Sequence, residues 1–212
     1  MLNAHFSGSV LVIAPHFDDE VIGCGGTLLR FRSQIERLTI VHITAASERR
    51  EAEFGNVRTV LPIDEHYALQ QEDGFCGKNS SELILSLVRV IQLESPDVVF
   101  VPHEREAHAD HRTAWWLTRD AVEKARYWKS DPPASTHRVQ LLLAYEVWTP
   151  LSDPSFVCDV TEHFERKCSL LRFYESQLED FPYVDYVRAF NGWRGLAHHR
   201  RGQAEAFAVR SI

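Results

Sequence analysis

Two short clusters of histidine and aspartate carry the chemistry in this sequence. The first is Ala14-Pro15-His16-Phe17-Asp18-Asp19-Glu20; the second, about ninety residues later, is His108-Ala109-Asp110-His111. A histidine leaving a strand end at position 16 and a carboxylate one helical turn on, Asp19, lie close enough to share one cation. His111 from the second cluster completes two imidazoles and one carboxylate, a set that leaves a position open for water, as catalytic zinc sites do. The same donors suit Fe2+, so the ligand types admit Zn2+, Fe2+ or another divalent transition metal, with zinc the first choice. Asp18 lies beside the set without having to join it. Taken singly, each cluster also reads as helix-start acids or a solvated cap next to a histidine. Two of them at strand ends expected to be neighbours outweigh that plainer reading.

The elements that must position these clusters follow from apolar patterning. Residues 10–14 are continuously apolar, as in a strand buried on both faces of a parallel sheet. A helix follows from the acids DDE into Leu28, Leu29 and Phe31. The alternation repeats: strand 38–44, helix 48–61, short strand 67–69, helix 80–94, strand 97–101, helix 111–128, strands 141–148 and 156–160, and helix 161–177. In helix 80–94, Leu83, Leu87, Val90 and Ile91 share one face, and Asn79 with Glu82 has the spacing of a capping pair. The remainder reads as a mixed aromatic and basic tail. This pattern predicts a Rossmann-like α/β fold, a mostly parallel sheet with helices on both faces, in one domain spanning 1–212 with a loop at 131–136. Ligands of such sheets bind beyond the carboxyl ends of the strands, where both clusters fall.

Composition narrows the function. The 212 residues include 44% hydrophobic and 25% charged, a mix that can bury a core. With 23 Lys+Arg against 30 Asp+Glu the net charge is −7, the wrong sign for gripping a nucleic-acid backbone. No apolar run approaches the ~18 residues of a membrane span, and no basic segment precedes the first apolar stretch, so a cytoplasmic protein without membrane insertion is expected. Cysteines 24, 76, 158 and 168 form no CxxC pair and read as idle or buried thiols. Association into a homo-oligomer is left open.

APHFDDE followed by HADH resembles the paired signature HPDDE and HPDH of the PIG-L/LmbE-like N-deacetylases. The similarity runs from the first strand through the helix after HADH, and AEAF near the end also looks like that family. It implies metal-dependent removal of an acetyl group from an N-acetylglucosamine-type sugar or conjugate. Position by position it makes His16, Asp19 and His111 the metal ligands and Asp18 the general base. His108 sits by the reacting carbonyl, and Asp110 orients a histidine. Two departures stand out: Phe17 and Ala109 replace the family's prolines, and Phe17 is expected to add bulk near the pocket. The chemistry fits amide hydrolysis. A bound cation activates water, Asp18 takes the proton, the metal and a protonated His108 stabilise the oxyanion, and Asp18 or His108 protonates the amine. An amidase for a non-sugar amide and a sugar-binding protein without turnover are the rival readings.

Weaker signals complete the picture. Gly23, Gly25 and Gly26 do not make a dinucleotide fingerprint and read as close helix-on-sheet contacts. Arg49 and Arg50 open the second helix; Arg50 aligns better with an arginine that reaches substrate in similar deacetylases, although SERREAE also reads as a solvated face. Asp73 is a candidate for a sugar hydroxyl or a turn residue. His103 and His42 read as hydrogen-bonded structural histidines, Trp115 and Trp116 as helix-on-sheet packing, and Trp193 as a face that a sugar could stack on.

Overall fold

The computed structural model describes residues 8–74, 80–129 and 135–210. The Asn79 cap, Cys76 and most of the 131–136 loop lie outside them. The elements run β1 (Gly8–Ala14), α1 (Asp19–Phe31), β2 (Ile35–Thr44), α2 (Glu48–Val60), β3 (Glu65–Gln71), α3 (Ser80–Glu94), β4 (Val98–Pro102), α4 (Ala109–Ala125), β5 (Leu141–Tyr145), β6 (Phe156–Asp159), α5 (Phe164–Arg172), α6 (Glu175–Leu178), α7 (Tyr183–His199) and β7 (Ala204–Arg210).

Seven strands form one sheet in the order β3-β2-β1-β4-β5-β7-β6. The pairs from β3 to β5 are parallel; β7 runs antiparallel to both β5 and β6. Alternate strand residues serve opposite faces, as the pleat requires. Val10, Val12, Ile40 and Phe100 pack with apolar residues of α1, α2, α5 and α7, while Leu11, Ile13, Val41 and Val99 pack with those of α3 and α4. Connections leave β1 and β4 in opposite directions across the sheet, so the crevice between their carboxyl ends is the topological switch point. The fold is the Rossmann-like α/β arrangement expected from the strand–helix alternation.

Two regions differ from the sequence reading. The supposed tail forms α7 and β7. Only Val187, Asn191, Arg194 and Gly195 of α7 are buried, so the helix has no continuous apolar stripe for a periodicity argument to find. The expected helix over 161–177 is a short 3-10 turn followed by α5 and α6, and the chain bends at Tyr174, whose hydroxyl donates to Glu20 Oε1 at 2.5 Å. The glycines behave as expected. A Cβ on Gly23 would stand 2.1 Å from the Tyr145 ring, and one on Gly26 would stand 2.8 Å from Val160. Trp115 packs inward, whereas Trp116 is largely exposed.

A buried ion pair joins α5, α7, β7 and α1. Lys167 Nζ donates to Glu205 Oε1 (2.6 Å), Ile22 O (2.7 Å) and Asn191 Oδ1 (2.8 Å). Glu205 also accepts from the backbone of Gly26 (2.8 Å) and Thr27 (2.7 Å). Removing one partner strands a buried charge. Lys167→Met is therefore expected to lower unfolding free energy by about 3–5 kcal/mol, measured by urea denaturation; a loss below about 1 kcal/mol would show that the network does not hold α5 and β7 to α1.

Candidate functional site

The β1–α1 corner is tight. Asp18 has φ 132°, a strained value for a residue with a side chain. Its carbonyl starts α1 by accepting from Val21 and Ile22, both at 2.9 Å, and its own N–H donates to Glu20 Oε2 at 3.1 Å. Glu20 is fully buried, and its other contacts are the Tyr174 hydroxyl and His42 Nε2, the latter at 3.1 Å. His42 in turn meets His66 at 2.9 Å. Glu20 thus does more than support a helix start: it fixes the backbone of Asp18.

Phe17 corrects an expectation. Its ring is fully buried, stacked on His42 with centroids 3.8 Å apart and edge-on to Phe54 and His66. It fills the core behind the corner and adds no bulk to the cavity. Ala109 occupies the first position of α4, a place that suits alanine as well as proline.

Three side chains meet at one point. His16 Nδ1 and Asp19 Oδ2 are 3.1 Å apart, His111 Nε2 and Asp19 Oδ2 3.2 Å, and His111 Nε2 and His16 Nδ1 3.3 Å. A tetrahedral ion with ligands at about 2.0–2.1 Å spaces them by about 3.3 Å, so this triangle is one face of such a tetrahedron. A ring nitrogen of His108 lies within 4.8 Å of those of His16 and His111. The fit extends outward. His16 Nε2 faces Asp73 Oδ1 (3.0 Å) and Asp110 Oδ2 (3.3 Å), leaving Nδ1 for the shared point. His111 Nδ1 is buried without a hydrogen-bond partner among the described residues, 3.9 Å from the carboxylate of Glu106.

The electrostatics favour a cation here. Burial opposes charge on His16, but the carboxylates of Asp110, Asp19 and Asp73 overcome it and push the imidazole up to about 12. Asp19, although burial works against its charge, is held below the carboxylate range by His111 and His16. Asp18 goes the other way: burial, then Asp19 and Glu20, raise it well above the ordinary value. Asp18 is 4% exposed, and its carboxylate accepts no hydrogen bond among the described residues.

The other expected residues divide as follows. His108 caps α4, with Nδ1 accepting from Asp110 N at 3.2 Å; burial and the charges of His16 and His111 lower its pKa. The sequence reading has this ring protonated, whereas an Nδ1 that accepts the Asp110 N–H belongs to a neutral ring. Asp110 is fully buried, orients His16 and accepts from Gly74 N at 2.7 Å, which ties the Asp73 turn to the site. Asp73 lies at the rim, lowered to about 2 mainly by its hydrogen bond with His16. The charge of Arg50 acts on Asp18, while Arg49 turns away to Glu179. His103 is the hydrogen-bonded strand-end residue expected, bound to Thr149 O at 2.7 Å.

Sequence reasoning missed Glu106. Buried beside His111, it accepts backbone N–H groups from Val147 (2.7 Å), Trp148 (3.0 Å) and Thr149 (3.2 Å). Burial opposes its charge, yet His103 and Val147 N hold its pKa below the usual value. Nothing in its local spacing marks it, because the backbone groups it gathers lie some forty residues away. If His111 binds a cation through Nε2, Glu106 is the carboxylate facing its other nitrogen. Glu106→Gln is expected to weaken divalent-cation affinity about 10- to 100-fold, measured by chelator competition; unchanged affinity would remove Glu106 from this role.

Comparisons with known proteins identify what the whole chain resembles. The family profile described as PIG-L, GlcNAc-PI de-N-acetylase, matches residues 11–122, which contain both clusters. The diacetylchitobiose deacetylase of Thermococcus kodakarensis is 27% identical over 226 residues, spanning 93% of this chain and 82% of that protein. Among solved structures, a conserved protein of Thermus thermophilus superposes with TM-score 0.86 at 29% identity, over 96% of this chain and 94% of the other. The N,N'-diacetylchitobiose deacetylase of Pyrococcus horikoshii shares the fold with TM-score 0.82 at 22% identity, over 99% and 87%.

Proposed function

Given that the chain belongs to the PIG-L family, we propose that residues 1–212 form one deacetylase domain that removes the acetyl group from an N-acetylglucosamine-type sugar or conjugate. The observation that carries this reading is the 3.1–3.3 Å triangle of His16, Asp19 and His111 with Asp18 beside it. The relatives named above as diacetylchitobiose deacetylases support the substrate class.

His16 Nδ1, Asp19 and His111 Nε2 would hold the ion, with Zn2+ the expected metal and Fe2+ the other candidate. When bound, such an ion lowers the pKa of a nearby water and polarises a carbonyl. Asp18, with no competing side-chain hydrogen bond among the described residues, takes the proton of the attacking water. As the tetrahedral intermediate collapses, it passes that proton to the leaving amine. His108 donates through Nε2 to the developing oxyanion. Asp110 keeps His16 in the tautomer that presents Nδ1, and Asp73 and Arg50 meet sugar hydroxyls at the rim.

No described helix is long and apolar enough to cross a membrane. Cys24, Cys158 and Cys168 are free thiols, which suits a reducing cytoplasm.

Asp18→Asn keeps shape and removes the base. It is expected to lower kcat for acetate release from N-acetylglucosamine conjugates by about 10²–10⁴-fold while metal content stays at the wild-type level, read by coupled acetate assay and elemental analysis. Wild-type turnover in this variant would sink the mechanism, and release only from non-sugar acetamides would replace the substrate class.

A further inference from the structure

A chain of polar side chains runs from the outer strand of the sheet to the backbone of Asp18. Ile40 of β2 pairs with His66 of β3, and His42 stands two residues further on, so both histidines project from the same face. His42 Nδ1 meets His66 Nε2 at 2.9 Å, and His42 Nε2 meets Glu20 Oε2 at 3.1 Å. The same carboxylate oxygen accepts the Asp18 N–H at 3.1 Å, while Oε1 accepts the Tyr174 hydroxyl at 2.5 Å.

Both ring nitrogens of His42 are therefore used, and its ring plane is fixed as well. Phe17 stacks on it with centroids 3.8 Å apart and 17° from parallel, and Phe54 meets it edge-on at 4.9 Å. Burial, with His42 and Arg58 nearby, lowers the His66 pKa to about 3, so that ring partners His42 without adding charge. His42 is fully buried, and its neighbours on that face of β2, Leu38 and Ile40, are apolar. A buried imidazole costs free energy there unless its hydrogen bonds are made. What it adds that an apolar side chain lacks is a donor for Glu20.

Glu20 needs that donor to hold Asp18. With Tyr174 alone on Oε1, the carboxylate can swivel about that contact and away from the Asp18 N–H; His42 on Oε2 fixes its plane. Asp18 has φ 132°, a conformation that persists only where the surroundings enforce it, and the place of its side chain follows from that backbone.

Building on the deacetylase reading, in which Asp18 is the base, we propose that His42 is a positioning residue for the reaction: oriented by His66 and Phe17, it fixes the Glu20 carboxylate, which holds Asp18 in the conformation that turnover needs. It acts through Glu20 and not by contact with the reacting atoms.

The test compares zinc-reconstituted wild type, His42→Leu and His42→Gln. Leucine fills the space without a donor, whereas glutamine can place its amide nitrogen where the ring Nε2 donates. Hydrogen exchange at the Asp18 amide, followed by nuclear magnetic resonance, is expected to quicken about tenfold in His42→Leu and to return towards the wild-type rate in His42→Gln. The Gly26 amide, held by Glu205 in the same helix, is expected to keep its rate in both. In acetate release, His42→Leu is expected to lower kcat about 10- to 100-fold with KM and metal content unchanged, and His42→Gln to recover most of the loss. Unchanged exchange at Asp18 in His42→Leu overturns the proposal, as does equal acceleration at Asp18 and Gly26, which would mean a general loosening of the fold. Wild-type kcat in His42→Leu, or a rise in KM alone, overturns it too. If the wild type releases no acetate while the exchange rates change as expected, the deacetylase reading fails and His42 remains the residue that holds Asp18.

Discussion

Three consecutive carboxylates, Asp18, Asp19 and Glu20, are buried in one turn between β1 and α1, and most of the surrounding structure exists to tolerate that charge. Each is met differently. Glu20 is held from behind by Tyr174, His42 and the Asp18 N–H. Asp19 is balanced by His16 and His111 from in front. Asp18 has no side-chain hydrogen bond among the described residues, and burial with Asp19 and Glu20 raises its pKa. Environment alone sets three neighbouring carboxylates apart in charge and contacts, which is what the proposed ligand, base and brace roles rest on.

The same constraint explains the distant elements. Tyr174 can reach Glu20 only because the chain breaks between α5 and α6, and α5 is anchored by Lys167 on Glu205. His111 can meet Asp19 only because β1 and β4 are adjacent at the switch point of the sheet. Glu106 then fastens the segment after β5 to the His111 loop, so a single buried carboxylate links that histidine's surroundings to residues 147–149.

Much of this was legible in the residues. Apolar runs at 10–14 and 97–101, each followed by a His/Asp cluster, are enough to foresee a parallel sheet whose strand ends share a cavity. The glycines of α1 announce its close approach to Tyr145 and Val160. What stayed hidden depends on long-range pairing. Glu106 acts through backbone groups some forty residues away. α7 buries an asparagine and an arginine where an apolar stripe was sought. Phe17 stands where proline was expected and finds its partners, His42, Phe54 and His66, on three other elements.

The central claim is that His16, Asp19 and His111 form one cation site. Its most direct test is elemental analysis of purified protein after zinc reconstitution, with His111→Ala prepared in parallel. The account predicts about one transition-metal ion per wild-type chain, lost in the variant. Metal absent from the wild type, or equal in both proteins, would contradict it.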